Sequence, residues 1–149
     1  VVILGPEASG TRYVAGLLRA ANWSEENRII RRSLPYDTGY PLLSELMAEL
    51  DCNDTRVVLT SRRADVLGLS QVKNGHAADW QEGLRQAQRA YTWAMTECAR
   101  MTVPFLLTSY EAFADPVYRG WVSDWALDGS DHEAAIAYGF VDGNAKYVP

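Results

Sequence analysis

Residues 5–12 read Gly-Pro-Glu-Ala-Ser-Gly-Thr-Arg, between a short apolar run (Val1, Val2, Ile3, Leu4) and a segment of helical periodicity. A strand that turns through glycine into a helix can hold phosphate or sulfate. The first N–H groups of the helix have no partner within it, and the helix dipole adds positive potential there. Gly10 permits close backbone approach, the hydroxyls of Ser9 and Thr11 can donate to anion oxygens, and Arg12 adds charge. A nucleotide-hydrolase loop would read G-x4-G-K-[S/T], its lysine on the phosphates and its hydroxyl on Mg²⁺. Here Thr11 takes the lysine place and Arg12 the hydroxyl place. The loop suits an anion but not the usual nucleotide hydrolase.

A second cluster lies in "RVVLTSRRADVLGLSQ" (56–71). Arg62 stands at the end of a buried-type strand and Ser70 follows eight residues later on a helix. The arginine reaches out from the strand end while the serine comes round two helical turns later, so both can converge on one phosphate. Arg63 is the alternative arginine if the register differs by one. A third stretch, "VPFLLTSYEAFADP" (103–116), brings Tyr110 to a strand end, where an aromatic ring can stack on a base or hydrogen-bond to it.

In this order the three stretches resemble the sulfotransferases that use 3′-phosphoadenosine 5′-phosphosulfate. In that family a Pro-[Lys/Arg]-Ser-Gly-Thr-Thr loop binds the 5′-phosphosulfate, an arginine and a serine eight apart bind the 3′-phosphate, and a late Tyr-Glu lies near the adenine. The resemblance covers residues 1–116. It implies a P-loop-like α/β fold, with a central parallel sheet in a three-layer α/β/α arrangement. It further implies Ser9, Gly10, Thr11 and Arg12 on the 5′ side, Arg62 and Ser70 on the 3′-phosphate, Tyr110 at the adenine, and no metal. The expected reaction moves sulfate to a hydroxyl or amine of a small molecule or saccharide. Many members close the donor site with a late basic segment, a place that Lys146 and Tyr147 would take.

Two positions depart from the family. The basic residue before Ser-Gly-Thr is Ala8 here, and Ser33 in "RRSLP" stands where cytosolic members carry a histidine. Arg12, or Arg31 or Arg32 at the second strand end, would then supply charge for the departing phosphate. The candidates for the general base are Glu7, Asp37, Asp65, His76 and His132, and an imidazole such as that of His76 is a common proton acceptor. Arg12, His76 and Glu7 are therefore the catalytic candidates, although Asp65 also suits a helix cap. Other readings are a P-loop kinase or nucleotide hydrolase, and a catalytically inactive nucleotide-binding module.

These residues need a scaffold to gather them. Strands are expected near 1–4, 28–32, 56–61 and 103–109, with helices over 11–21, within 41–51, from about 62 to 70, and over 79–101, 116–126 and 131–138. In the long helix Trp80, Leu84, Ala87, Tyr91, Ala94, Met95, Cys98 and Met101 recur at core spacing, and Trp93 joins the packing residues. Strands alternating with helices predict a parallel sheet flanked by helices in one domain over 1–149, with the ligand at the carboxyl ends of the strands.

The net charge of −5 and the pI near 5.0 argue against nonspecific nucleic-acid binding. Of fourteen basic residues only Lys73 and Lys146 are lysine, and arginine forks suit phosphate and sulfate. No apolar run is long enough to span a membrane. Cys52 and Cys98 have no metal or redox spacing, which suits reduced thiols in a cytoplasmic protein.

Overall fold

The computed structural model describes residues 1–22, 28–35, 39–50, 54–145 and 147. Four parallel strands, Val2–Pro6 (β1), Ile30–Leu34 (β2), Val57–Ser61 (β3) and Phe105–Ser109 (β4), form a sheet in the order β2-β1-β3-β4. The helices are Thr11–Ala20 (α1), Leu43–Ala48 (α2), Ala64–Lys73 (α3), Trp80–Met101 (α4), Pro116–Ala126 (α5) and His132–Ala137 (α6). A 3₁₀ turn over Tyr110–Ala114 joins β4 to α5. Sheet and helices alternate along the chain as the sequence pattern predicts.

Alternation along the central strands supplies two cores, one on each face of the sheet. Val2, Leu4, Val57 and Leu59 face α2 and α4, packing with Leu43, Leu46, Ala90, Ala94 and Cys98. Ile3 and Val58 face the other way, onto Val14, Leu17 and Leu18 of α1, Val122 of α5 and Ala135 of α6. The outcome is an α/β sandwich of three layers.

Hydrogen-bonded caps set several helix starts. Asp79 accepts from the Glu82 amide at the head of α4, and Glu82 reaches back to the Ala78 amide. Asp115 caps α5, which has Pro116 in its first turn, and Asp131 caps α6.

The observed boundaries differ from expectation in instructive places. β1 runs on to Pro6 and β2 to Leu34, because parallel pairing continues from Val2 with Ile30 to Pro6 with Leu34. Asp65 does not cap α3: the helix starts from Arg63, and Asp65 in its first turn pairs with the Arg63 guanidinium at 2.6 Å. Met95 and Trp80 share the core spacing of α4 yet are 40% and 43% exposed, so the apolar stripe is wider than the surface α4 covers.

This topology creates the place for a site. From β1 the chain passes to β2 on one side, then returns to lay β3 on the other. The loops after β1 and β3 therefore diverge at the carboxyl ends of adjacent strands, where open α/β sheets hold ligands.

Candidate functional site

A cleft of about 520 Å³ opens at that point. Its lining comes from the loop after β1 (Glu7, Ala8, Gly10), the start of α1 (Thr11, Arg12, Tyr13) and Ser33 of β2. Arg62 after β3, Asn74 and His76 after α3, Tyr110, and Gly143 and Tyr147 near the end of the chain complete it. Segments far apart in sequence thus meet at one surface.

The loop after β1 turns through two left-handed residues, Ala8 (φ 67°) and Gly10 (φ 101°). Gly10 is the N-cap of α1 and provides no side chain to cap it. Ser9 does not face the cleft: it is fully buried, with its hydroxyl 2.7 Å from the Thr60 hydroxyl. That pair crosses directly over Gly5, where a Cβ would collide with both hydroxyls. Ser9 therefore ties the loop to β3, and of the residues expected on the 5′ side Gly10, Thr11 and Arg12 line the cleft, Thr11 with only 3% of its surface exposed.

At the α1 end of the cleft, Thr11 and Ser33 place their hydroxyls 3.3 Å apart. Arg31 Nη1 lies 3.5 Å from the Thr11 hydroxyl and 3.4 Å from that of Ser33, long contacts that leave its charge largely unspent. Arg12 is exposed on the rim and makes no hydrogen bond or ion pair among the described residues. Arg32, the other strand-end arginine, instead pairs with Glu49 at 2.8 Å. Of the two, Arg31 is the one beside Thr11 and Ser33.

On the β3 side Arg62 reaches across to the first loop. Its Nη1 donates to the Ala8 carbonyl at 2.9 Å and its Nε to Asn144 Oδ1 at 2.6 Å. The guanidinium carbon sits 4.6 Å from the centre of the Tyr110 ring, at cation–π distance. Arg63 is turned outward to Asp65 and forms no part of the lining.

Ser70 departs from expectation. It is fully buried, and Asn74, four residues on at the C-terminal cap of α3, donates to its carbonyl at 2.8 Å and to its hydroxyl at 3.1 Å. Asn74, not Ser70, lines the cleft. The adjacent Gln71 is buried as well and donates to the Glu7 carbonyl at 3.0 Å, bracing the loop from behind.

Tyr110 lines the cleft but is only 8% exposed. Its hydroxyl donates to the Val141 carbonyl at 2.6 Å and accepts from the Gly143 amide at 3.2 Å. Tyr13 and Phe140 pack against its ring. A free face for adenine is missing at this residue, because Arg62 and these aromatics already cover it. Glu111 beside it accepts from Ser109, the Arg63 amide and Asn144. Burial pushes its carboxyl upward, but these hydrogen bonds together outweigh burial and hold it below the usual range.

Among the base candidates, Glu7 and His76 both line the cleft, and His76 is fixed through its amide to the Gln71 carbonyl at 2.8 Å. His132 lies outside the cleft lining and pairs with Asp124 at 2.7 Å. Asp37 and Lys146 fall outside the described residues. Among the described residues no group of three or more His, Cys, Asp or Glu is placed to hold a metal ion, and no helix is long and apolar enough to cross a membrane.

Sequence reasoning missed Tyr13, Asn74 and Asn144. Asn74 has a sequence signal, four residues beyond Ser70 and thus on the same helical face. Asn144 has none, since only the return of the chain to Arg62 reveals it. Tyr13 carries a buried hydroxyl with no hydrogen bond of good geometry among the described residues, and burial pushes its pKa up to about 12 despite the nearby Arg119 guanidinium.

Comparison with protein-family models, with characterised proteins and with solved structures gave no match.

Proposed function

We propose that the chain binds an adenosine nucleotide bearing phosphates at both its 3′ and 5′ positions, and that its reaction is sulfuryl transfer from 3′-phosphoadenosine 5′-phosphosulfate. The observation that carries this reading is the convergence of the β1–α1 loop and Arg62 on one cleft, joined by the Arg62–Ala8 hydrogen bond. Two anion-binding elements at the ends of adjacent strands suit a ligand with two separated anionic groups. The sulfotransferase-like order of Ser9-Gly10-Thr11, Arg62 and Ser70 supports the same ligand.

In this reading the amides at the start of α1 and the Thr11 hydroxyl hold the 5′-phosphosulfate, with Arg12 and Arg31 supplying charge. Arg62 takes the 3′-phosphate, and Asn74 occupies the position at the cleft that Ser70 has in the family pattern. An acceptor hydroxyl or amine attacks sulfur, the bond from sulfur to the bridging phosphate oxygen breaks, and adenosine 3′,5′-bisphosphate leaves. The acceptor's proton passes to Glu7 or His76, both of which line the cleft. Arg12 neutralises the departing phosphate, the task Ala8 cannot perform. The open cleft suits a polar or bulky acceptor such as a saccharide.

Ala8 also favours a second reading: a nucleotide-binding module of this fold without turnover. Labelled donor supplied with a panel of acceptors distinguishes the two, since only the enzyme releases the bisphosphate and labels an acceptor. A P-loop kinase or nucleotide hydrolase is the reading that preference for ATP·Mg²⁺ over the bisphosphate would establish.

A further inference from the structure

Asn144 lies in the segment after α6, outside any strand or helix, yet it is only 6% exposed. Its amide orientation is fixed by its partners. Arg62 Nε can only donate, so the atom 2.6 Å from it is Oδ1; the ionised Glu111 carboxylate can only accept, so the atom 2.9 Å from Oε1 is Nδ2. The backbone is pinned too: the Asn144 amide donates to Asp142 Oδ1 at 2.8 Å, and its carbonyl accepts from the Tyr147 amide at 2.8 Å. A residue outside the regular elements thus links the ends of β3 and β4.

The consequence falls on Arg62. Asn144 holds Nε from one side, the Ala8 carbonyl holds Nη1 from another, and the Tyr110 ring supports the guanidinium face. Both hydrogen-bond acceptors are neutral oxygens, so among the described residues the positive charge is oriented without a direct carboxylate pair. Nη2 makes no hydrogen bond among the described residues, and a Cβ on Gly143 would sit 3.1 Å from it, so the same segment also bounds that edge. Glu111 polarises Asn144 through the intervening amide, strengthening the grip of Oδ1 on Nε.

We propose that Asn144 is a positioning residue for Arg62: it sets the guanidinium fork in advance so that its outer N–H groups meet a phosphate in the cleft. This rests on the reading of Arg62 as the ligand of the 3′-phosphate. A long side chain held in place before binding loses less freedom when the ligand arrives, so affinity for that one phosphate depends on Asn144. Binding energy from the rest of the nucleotide does not.

The test is calorimetric titration of the full chain with adenosine 3′,5′-bisphosphate and, separately, adenosine 5′-monophosphate. It compares the unaltered protein, Asn144→Ala, Arg62→Lys and the double variant, each checked for cooperative unfolding. Asn144→Ala is expected to weaken the bisphosphate roughly tenfold, the scale of one hydrogen bond to a charged group, and the monophosphate less than about twofold. In the Arg62→Lys background, where no fork remains to orient, Asn144→Ala is expected to add less than about twofold. Asn144→Ser serves as the second variant should alanine disturb folding. Unchanged bisphosphate affinity, equal weakening of both nucleotides, or an undiminished loss in the Arg62→Lys background would each overturn the proposal. Failure of the unaltered protein to bind the bisphosphate removes the underlying reading and this proposal with it. Binding that ignores position 144 removes this proposal alone.

Discussion

Gly10 and Tyr110 are fitted to one another across the cleft: a Cβ on Gly10 would lie 2.6 Å from Tyr110 Cδ2. Gly10 also has φ +101°, in the region that L side chains avoid. The residue that sequence reasoning assigned to ligand approach is required first by the fold, because it lets the 3₁₀ turn after β4 close on the start of α1. Gly10→Ala is therefore expected to cost about 2–4 kcal/mol, combining a left-handed penalty with overpacking. Urea denaturation measures it. A loss under about 0.5 kcal/mol, the usual range for an uninvolved surface position, would refute the fit.

Ala8 presents the opposite case. It holds φ 67° with a Cβ in place, and its carbonyl accepts from Arg62. Glycine keeps that carbonyl and relieves the backbone, at the expense of a more flexible unfolded chain. Ala8→Gly is expected to stabilise the protein by about 0.5–1 kcal/mol, a net of those two effects. Destabilisation in the same denaturation experiment would show that the Ala8 methyl group contributes packing unaccounted for.

Glu111 gives the protein a predictable acid response. Its carboxyl is held below the usual range by Ser109, the Arg63 amide and Asn144, against the opposing effect of burial. A lowered folded-state pKa contributes stability that is fully present above the unfolded value, about 4.3 for glutamate. That contribution disappears as pH falls through the lower folded value. Thermal unfolding of Glu111→Gln and the unaltered protein should differ most above about pH 5 and converge in stronger acid. A constant difference between pH 7 and pH 3 would contradict this.

Cys98 is buried between α4 and the sheet, and burial, helped by the neighbouring Glu97 charge, pushes its thiol up to about 11. At neutral pH it is a protonated core residue and should resist alkylation until the protein unfolds. Iodoacetamide labelling at pH 7.5, read by peptide mass, is expected to modify Cys98 only in denaturant. Rapid modification of Cys98 in the folded protein would contradict its place in the core.

Much of the architecture was legible because period and punctuation agreed. Val2, Ile3 and Leu4 form a continuous apolar run, as a strand buried on both faces must. The spacing of Ala87, Ala94 and Cys98 marks the inner face of α4. The site was legible only in part. Proximity of the first loop to Arg62 follows from strand order, but the direction of a hydroxyl does not. Ser9 and Ser70 carry the right chemistry at the right spacing, yet one bonds Thr60 and the other lies beneath Asn74. Spacing assigns a residue to a face; neighbours decide whether it reaches solvent. Tyr110 is likewise at the expected strand end, with its hydroxyl engaged by a segment that gives no periodic signal.

The central claim is that Arg62 and the loop after β1 hold one nucleotide with phosphates at both ends of its ribose. The most direct measurement is a paired calorimetric titration with adenosine 3′,5′-bisphosphate and with ATP·Mg²⁺, repeated on Arg62→Ala. The account predicts preference for the bisphosphate and a loss of at least about tenfold in the variant, as befits a charge-assisted contact. Preference for ATP·Mg²⁺, or bisphosphate binding indifferent to Arg62, would contradict it.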